Sequence, residues 1–321
     1  MDLIFANAKM EDIGVLLDYN FDLSFGDSEN NFQLSTNKKI NHCKDGCFLY
    51  LENTEYGGII DKIKVQTSSN EILYLGRTWH GILANKIIEP DTGEDYLVVS
   101  GEANSIIKNL IARLDLSDLF IASNEASGLK IDSFQFDRYI DAFSGIRKML
   151  RTAKGKLNFR FKNGKVILSA LPIIDYSQNE QFDTDQVALD IEKKYTKINH
   201  LICLGKGDLK ERQVIHLYAD NDGNIGKAQS IKGINEMTAV YDYSSVESLE
   251  ELEKGGIEKL QELNANGNVN ISFNTEDIIY DLDDVVSNKE ILTGIEVTAP
   301  IVQKIVTIDK MRINIEYKIG E

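Results

Sequence analysis

Proline and cysteine are scarce in this chain, three of each among 321 residues. So few prolines, with no low-complexity stretch, argue against a disordered or linker-rich protein. Cys43, Cys47 and Cys203 are odd in number, and the N-terminal MDLIFANAKMEDIG carries no basic, apolar leader. Reduced thiols and folding in a cytoplasm are therefore expected, not a disulfide framework. No run approaches the roughly 18–20 apolar residues of a membrane span, so no membrane insertion is expected. Basic residues are the minority, 35 against 51 acidic, for a net charge of −16. Such a surface repels phosphate, which excludes a reader of nucleic-acid sequence. What remains, 42% hydrophobic and 27% charged, is ordinary for a folded chain, and the length accommodates two or three domains.

The first 100 residues read as short strands. Phe21, Leu23 and Phe25 alternate with Asp22 and Ser24, and Ile63 and Val65 flank Lys64. Turn formers punctuate these runs at Gly26-Asp27-Ser28, Asp45-Gly46, Gly57-Gly58 and Ser68-Ser69-Asn70. From Gly101 the period changes. Ala103, Ile106, Ile107, Leu110, Ile111 and Leu114 line one helical face. A second helix is expected over Phe134–Thr152, capped by Ser133, with Lys148, Arg151 and Lys154 at its negative end. LNFRFK and KVILSA on either side of Asn163-Gly164 predict a hairpin. Strands resume near 189. A helix is expected from Val246 to about Asn264, opened by Ser244 with Glu247 and weakened by Gly255-Gly256.

Weak self-similarity links the two ends. Phe21–Phe25 parallels Val269–Phe273, Gly58–Ile63 parallels Pro300–Ile305, and Leu73–Gly76 parallels Glu316–Gly320 with a small gap. The order is preserved, as a module used twice requires. The expectation is an α+β, mainly β chain: a first β-barrel domain at 1–100, an α/β insertion at 101–188, and a similar antiparallel β-barrel domain at 189–321 with a helix at about 246–264.

Gly76–Pro90 (GRTWHGILANKIIEP), the following YLVVSGEA, and Gln213–Gly226 (QVIHLYADNDGNIG) resemble the siphophage Gp37-like tail family. That family is akin to the baseplate hubs of contractile tails and PBSX-type prophages. The closing EVTAPIVQKIVTIDKMRINIEYKIGE resembles the last barrel of such hubs. The resemblance implies tube-type barrels and a homotrimer that meets a sixfold tube as a pseudo-sixfold ring. Implied partners are tail-tube and distal tail or baseplate proteins outside, and a central spike or tape-measure terminus. DNA would pass transiently and non-specifically through a channel whose carboxylates repel phosphate. Since the chain stops soon after the second barrel, a bare hub is expected, without an attached hydrolase.

Catalytic and metal chemistry finds little support. His42, Cys43 and Cys47 offer three soft ligands, but Cys-x3-Cys across Asp45-Gly46 reads more simply as a hairpin. Asp220, Asp222 and Asn224 echo a calcium loop whose sixth and twelfth positions are filled by Ile225 and Ile231. Cys203 and His216 lie in apolar strand runs with no surrounding motif, and Gly205-Lys206-Gly207 lacks the spacing of a phosphate loop. Trp79 and His80, next to Arg77 and expected on a strand, read as barrel packing or an intersubunit contact before a sugar platform. No catalytic, cofactor or metal residue is assigned, and no enzyme is expected. The alternative is a cell-wall-associated hydrolase or carbohydrate-binding module, which needs a cleft of convergent polar groups. A subunit of a non-phage contractile device shares the physics of the hub.

Overall fold

In a computed structural model, the chain divides into two compact units, 1–189 with 272–319, and 190–271 with 320–321. The structure describes residues 2–37, 46–65, 67–177, 181–182, 190–193, 197–221, 223–244, 246, 248–265, 269–274, 279–289, 296–309 and 312–320. No helix among them is long and apolar enough to cross a membrane.

The first unit opens with β1 (Leu3–Ala6), β2 (Asp12–Leu16), β3 (Tyr19–Gly26), β4 (Asn31–Asn37), β5 (Phe48–Tyr50), β6 (Gly57–Val65) and β7 (Glu71–Thr78). Alternation sets the faces as the sequence predicts. Phe21, Leu23 and Phe25 of β3, Phe32 and Leu34 of β4, and Ile72 and Tyr74 of β7 are all buried. Thr78 then ends the strand, and its hydroxyl accepts from the Gly81 amide to start α1 (Trp79–Ala84). Next come β8 (Ile87–Ile88), β9 (Val98–Glu102) and α2 (Ala103–Arg113), which buries the expected Ile106, Ile107, Leu110 and Ile111. β10 (Phe120–Ala122), β11 (Lys130–Gln135) and β12 (Ile140–Asp141) lead to α3 (Ala142–Arg151).

The helix expected from Phe134 thus begins eight residues later. β11 pairs antiparallel with β9, and Asp141, not Ser133, accepts from the Ser144 amide as the cap. Tertiary pairing overrides a helical period at the start of that run. β13 (Gly155–Lys162) and β14 (Lys165–Pro172) form the expected hairpin, with positive φ at both Asn163 and Gly164. β10 joins β14 in parallel, and β15 (Gln181–Phe182) ends this stretch.

The second unit contains β16 (Asp190–Lys193), β17 (His200–Leu204), β18 (Val214–Ala219), β19 (Ile225–Gly226), β20 (Thr238–Asp242), α4 (Leu249–Ala265) and the start of β21 (Val269–Asn274). Its four-stranded sheet runs β19-β18-β17-β20, and α4 packs on it through Leu252 and Leu260 against Leu201, Cys203 and Leu217. α4 is continuous through the glycine pair expected to bend it. A Cβ at Gly256 would lie 2.5 Å from the Cys203 sulfur, so close packing on the sheet explains that glycine. Ser248, not Ser244, accepts the first-turn amides.

The chain then returns to the first unit with β22 (Val285–Lys289), β23 (Glu296–Asp309) and β24 (Arg312–Ile319). β23 pairs antiparallel with β24 and with β3, Gln303–Asp309 facing Gly26–Asn20. This junction joins N- and C-terminal strands into one large antiparallel sheet, β24-β23-β3-β4-β7-β6-β5-β1-β2. The protein is therefore mainly β with added helices, as expected, but among the described residues the sheet closes into no barrel. The end strands pair with each other along one edge instead of each set closing on itself.

Within this sheet one four-strand pattern occurs twice. β4, β5, β6 and β7 have the neighbour order β4-β7-β6-β5; β21, β22, β23 and β24 repeat it as β21-β24-β23-β22. β6 bulges against β7 between Ile60 and Lys62, and β23 against β24 between Ile301 and Gln303. The Ile60 amide donates to the Cys47 carbonyl and the Gly46 amide to the Ile60 carbonyl; Ile301, Asp284 and Asp283 make the same two bonds. Gly46 and Asp283 share a positive φ, 76° and 74°. Tyr74 and Tyr317 occupy equivalent sites and are fully buried. The sequence match at Leu73–Gly76 falls in this register. The match at Gly58 is one residue out, since Ile59 stands where Pro300 stands, and β21 corresponds to β4, not β3.

Candidate functional site

Charge is concentrated inside the first unit. α3 presents Phe143, Ile146, Met149 and Leu150 inward, and Arg147 lies buried with them. Its Nε and Nη2 donate to the two oxygens of Asp283 at 3.0 and 2.8 Å, and its Nη1 reaches Asp27. Arg151 Nε donates to the same Asp283 at 2.9 Å. On β13, buried Lys156 donates to both oxygens of Asp284 at 2.7 Å and meets Asp281 at 2.7 Å. On β23, Lys304 is fully buried and donates to Glu55, with Phe25 and Tyr317 beneath it.

These pairs are matched donor to acceptor, which is the condition for burying charge. Burial pushes the Asp283 carboxyl up, but Arg147 and Arg151 outweigh it and hold the group below the usual carboxylate range. Burial likewise works against charged Lys304, and Glu55 outweighs it, so the ammonium is held above its ordinary range. The cluster fastens residues 281–284 and β23 to α3, β13 and the loop before β6. With Arg147, Lys156, Lys304 and Asp283 no more than 3% exposed, it is a clamp and not a substrate site. The sequence reading passed over it. A cation one turn from Phe143 on an apolar helical face was the available signal.

Trp79 and His80 lie on α1 and not on a strand, both buried. Trp79 stacks on Phe48 and Phe161, and His80 on Phe25 at 4.2 Å between ring centres, with Phe159 at 3.9 Å. They are packing residues. Burial, then Lys304 and Arg147, hold the His80 imidazole far below its ordinary range, so it is neutral.

In the second unit Cys203 and His216 do not meet as nucleophile and base. Cys203 pairs in register with Ile215 and lies under α4, its thiol pushed up to about 11 by burial. His216 pairs with Ile202 and sits on the other face. There its Nδ1 is 2.8 Å from His200 Nε2, and His200 Nδ1 is 2.6 Å from a Glu236 oxygen. His200 and Glu236 were missed in the sequence, because only the β17–β18 register brings His200 to His216 and only the β17–β20 pairing brings Glu236 to His200. Asp220 and Asn224 close a tight turn through side-chain and backbone bonds. Asp222, His42 and Cys43 lie outside the described residues, and Cys47 is buried. Among the described residues no group of three His, Cys, Asp or Glu side chains is placed to hold a metal.

Exposed apolar residues occur on strands as well as on loops and helices. Ile13, Val15 and Leu17 at and beyond β2 are 47, 45 and 75% exposed, and Ile63 and Val65 on β6 are 37 and 54% exposed. No family model and no curated protein matches the sequence. Solved structures do. The 43 kDa tail protein of prophage MuSo2 from Shewanella oneidensis aligns with TM-score 0.58 over 100% of this chain and 98% of its own, at 10% identity. A tail protein from Neisseria meningitidis MC58 aligns at 0.53 over 100% and 97%, with 13% identity. The chain has the fold of prophage tail proteins. Prophage tail protein gp18 from Listeria monocytogenes EGD-e extends the likeness, at TM-score 0.51 over 99% and 94% with 11% identity.

Proposed function

We propose that this chain is a structural, non-enzymatic subunit of a phage-type tail, a hub or adaptor at the end of the tail tube. The observation that carries the reading is the full-length likeness to prophage tail proteins. In this reading three copies form a ring, and the four-strand module present twice in each chain gives that ring six similar sectors. A threefold tip thereby meets a sixfold tube without a symmetry mismatch. The barrel expected from sequence belongs to the ring, whose modules stand side by side around a channel for DNA. The three segments 1–100, 101–188 and 189–321 serve as first tube module, insertion and second tube module. Tail-tube and distal tail or baseplate proteins bind outside, a central spike or tape-measure terminus within, and the assembly resides in the virion after synthesis in the host cytoplasm.

The net charge of −16 supports passage of DNA without sticking. The carbohydrate-binding alternative loses its platform, because Trp79 and His80 are packed inside. Native mass spectrometry across a concentration series tests the reading. A species of three chains is expected to grow with concentration; monomers throughout, with cleavage of peptidoglycan or binding of glycan, would overturn it.

A further inference from the structure

The four-stranded sheet of the second unit is covered by α4 on the face that carries Leu201, Cys203 and Leu217. Register places His200 opposite Tyr218, and Ile202 opposite His216, on the other face. His216 is exposed there, while the His200 side chain is only 11% exposed. Tyr218 stacks on the His200 ring at 4.5 Å between ring centres and holds its plane. His200 Nδ1 has a Glu236 oxygen at 2.6 Å and the Thr238 hydroxyl at 3.2 Å. In the neutral ring a carboxylate at Nδ1 selects the tautomer with its proton on that nitrogen, so the lone pair lies on Nε2. That lone pair faces His216 Nδ1 at 2.8 Å. Two imidazole nitrogens thus converge on one point, which a single proton fills in the hydrogen-bonded pair.

We propose that His200 Nε2 and His216 Nδ1 together bind a divalent cation of the zinc, nickel and copper class, with Glu236 orienting His200 from behind. Imidazole nitrogen suits these metals, whereas magnesium and calcium require oxygen ligands. A carboxylate on the far nitrogen is the usual outer partner of a ligating histidine, since it fixes the ring and raises its basicity. Glu236 already stands in that place. Tetrahedral zinc at its ordinary bond length needs the two nitrogens about 3.3 Å apart. The pair therefore opens by about half an ångström on binding. His216, exposed on the free face, has room to swing by that amount. The cation takes the place of the shared proton, which is displaced to solvent. With two protein ligands the site is open, and water completes the coordination from the uncovered side. All of these residues belong to the second unit, and the proposal does not depend on the tail reading.

The test titrates zinc chloride into the full chain, labelled with 15N at histidine, and reads the ring nitrogens by magnetic resonance. Zinc is expected to shift His200 Nε2 and His216 Nδ1 and to leave buried His80 where it was; magnesium should shift none of them. His216→Gln should weaken zinc binding at His200 at least tenfold. That side chain is exposed, so circular dichroism of the variant should match the parent. Glu236→Gln should weaken binding about 10–100-fold and move the His200 Nδ1 resonance before any metal is added, and Glu236→Asp should recover part of both. Zinc that leaves the two nitrogens unmoved would overturn the site and reduce the pair to a hydrogen bond. Binding at His200 that His216→Gln does not weaken would overturn it as well.

Discussion

At the scale of single residues, the charges inside the first unit carry the sharpest consequences. Arg147→Ala leaves Asp283 buried with only Arg151 beside it, and removing one partner of a buried pair costs about 3–5 kcal/mol. Asp27 is about half exposed at the other end of the same guanidinium, so Asp27→Ala should cost less than about 1 kcal/mol. Urea unfolding of the two variants separates them; equal losses would mean that the clamp is not organised around Asp283. The pH dependence follows in sign. Asp283 is held below its unfolded value, so its contribution is present at neutral pH and is lost as pH falls through the folded value. Glu102 behaves likewise. Burial opposes its charge, but bonds from Ser127, Ser105 and Asn104 hold it at about 2. Glu102→Gln should flatten the fall in melting temperature between about pH 4 and 2. Such residues were hard to see in the sequence, because the pairs join positions 136, 128 and 249 apart.

At the scale of elements, local chemistry was legible wherever one strand or helix decided the matter. α2 and the Asn163-Gly164 hairpin form where their periods and turn residues put them. α3 did not, because β11 takes the first residues of its apolar run into a ladder with β9. Asp141→Ala should cost about 1 kcal/mol by removing the true cap, while Ser133→Ala should cost nothing measurable. The β3–β23 junction has its own sensitive point. Gly26 has φ of 145° and an added Cβ would lie 2.2 Å from the Val302 carbonyl oxygen. Gly26→Ala should therefore destabilise by more than about 1–3 kcal/mol and raise amide exchange in β3 and β23 before β10 and β14. Uniform exchange across both sheets would contradict a junction that opens separately.

At the scale of the whole molecule, the repeated module was legible as order, and less so as register. The Tyr74–Tyr317 equivalence emerged from short matches, while β21 was set against β3 because both read as one alternating strand with a phenylalanine at its end. Closure was misjudged for a physical reason: alternation fixes which face of a strand is buried, and says nothing about which neighbour takes its edge. The edges decide here, since β23 takes β3, while among the described residues Lys62–Val65 of β6 pair with β7 alone. On the function proposed above, such a protein finishes its sheet by assembling. Negative-stain electron microscopy of the purified chain over a range of concentrations tests that most directly. Threefold rings with a central hole are the predicted result; compact single chains at every concentration would contradict the account.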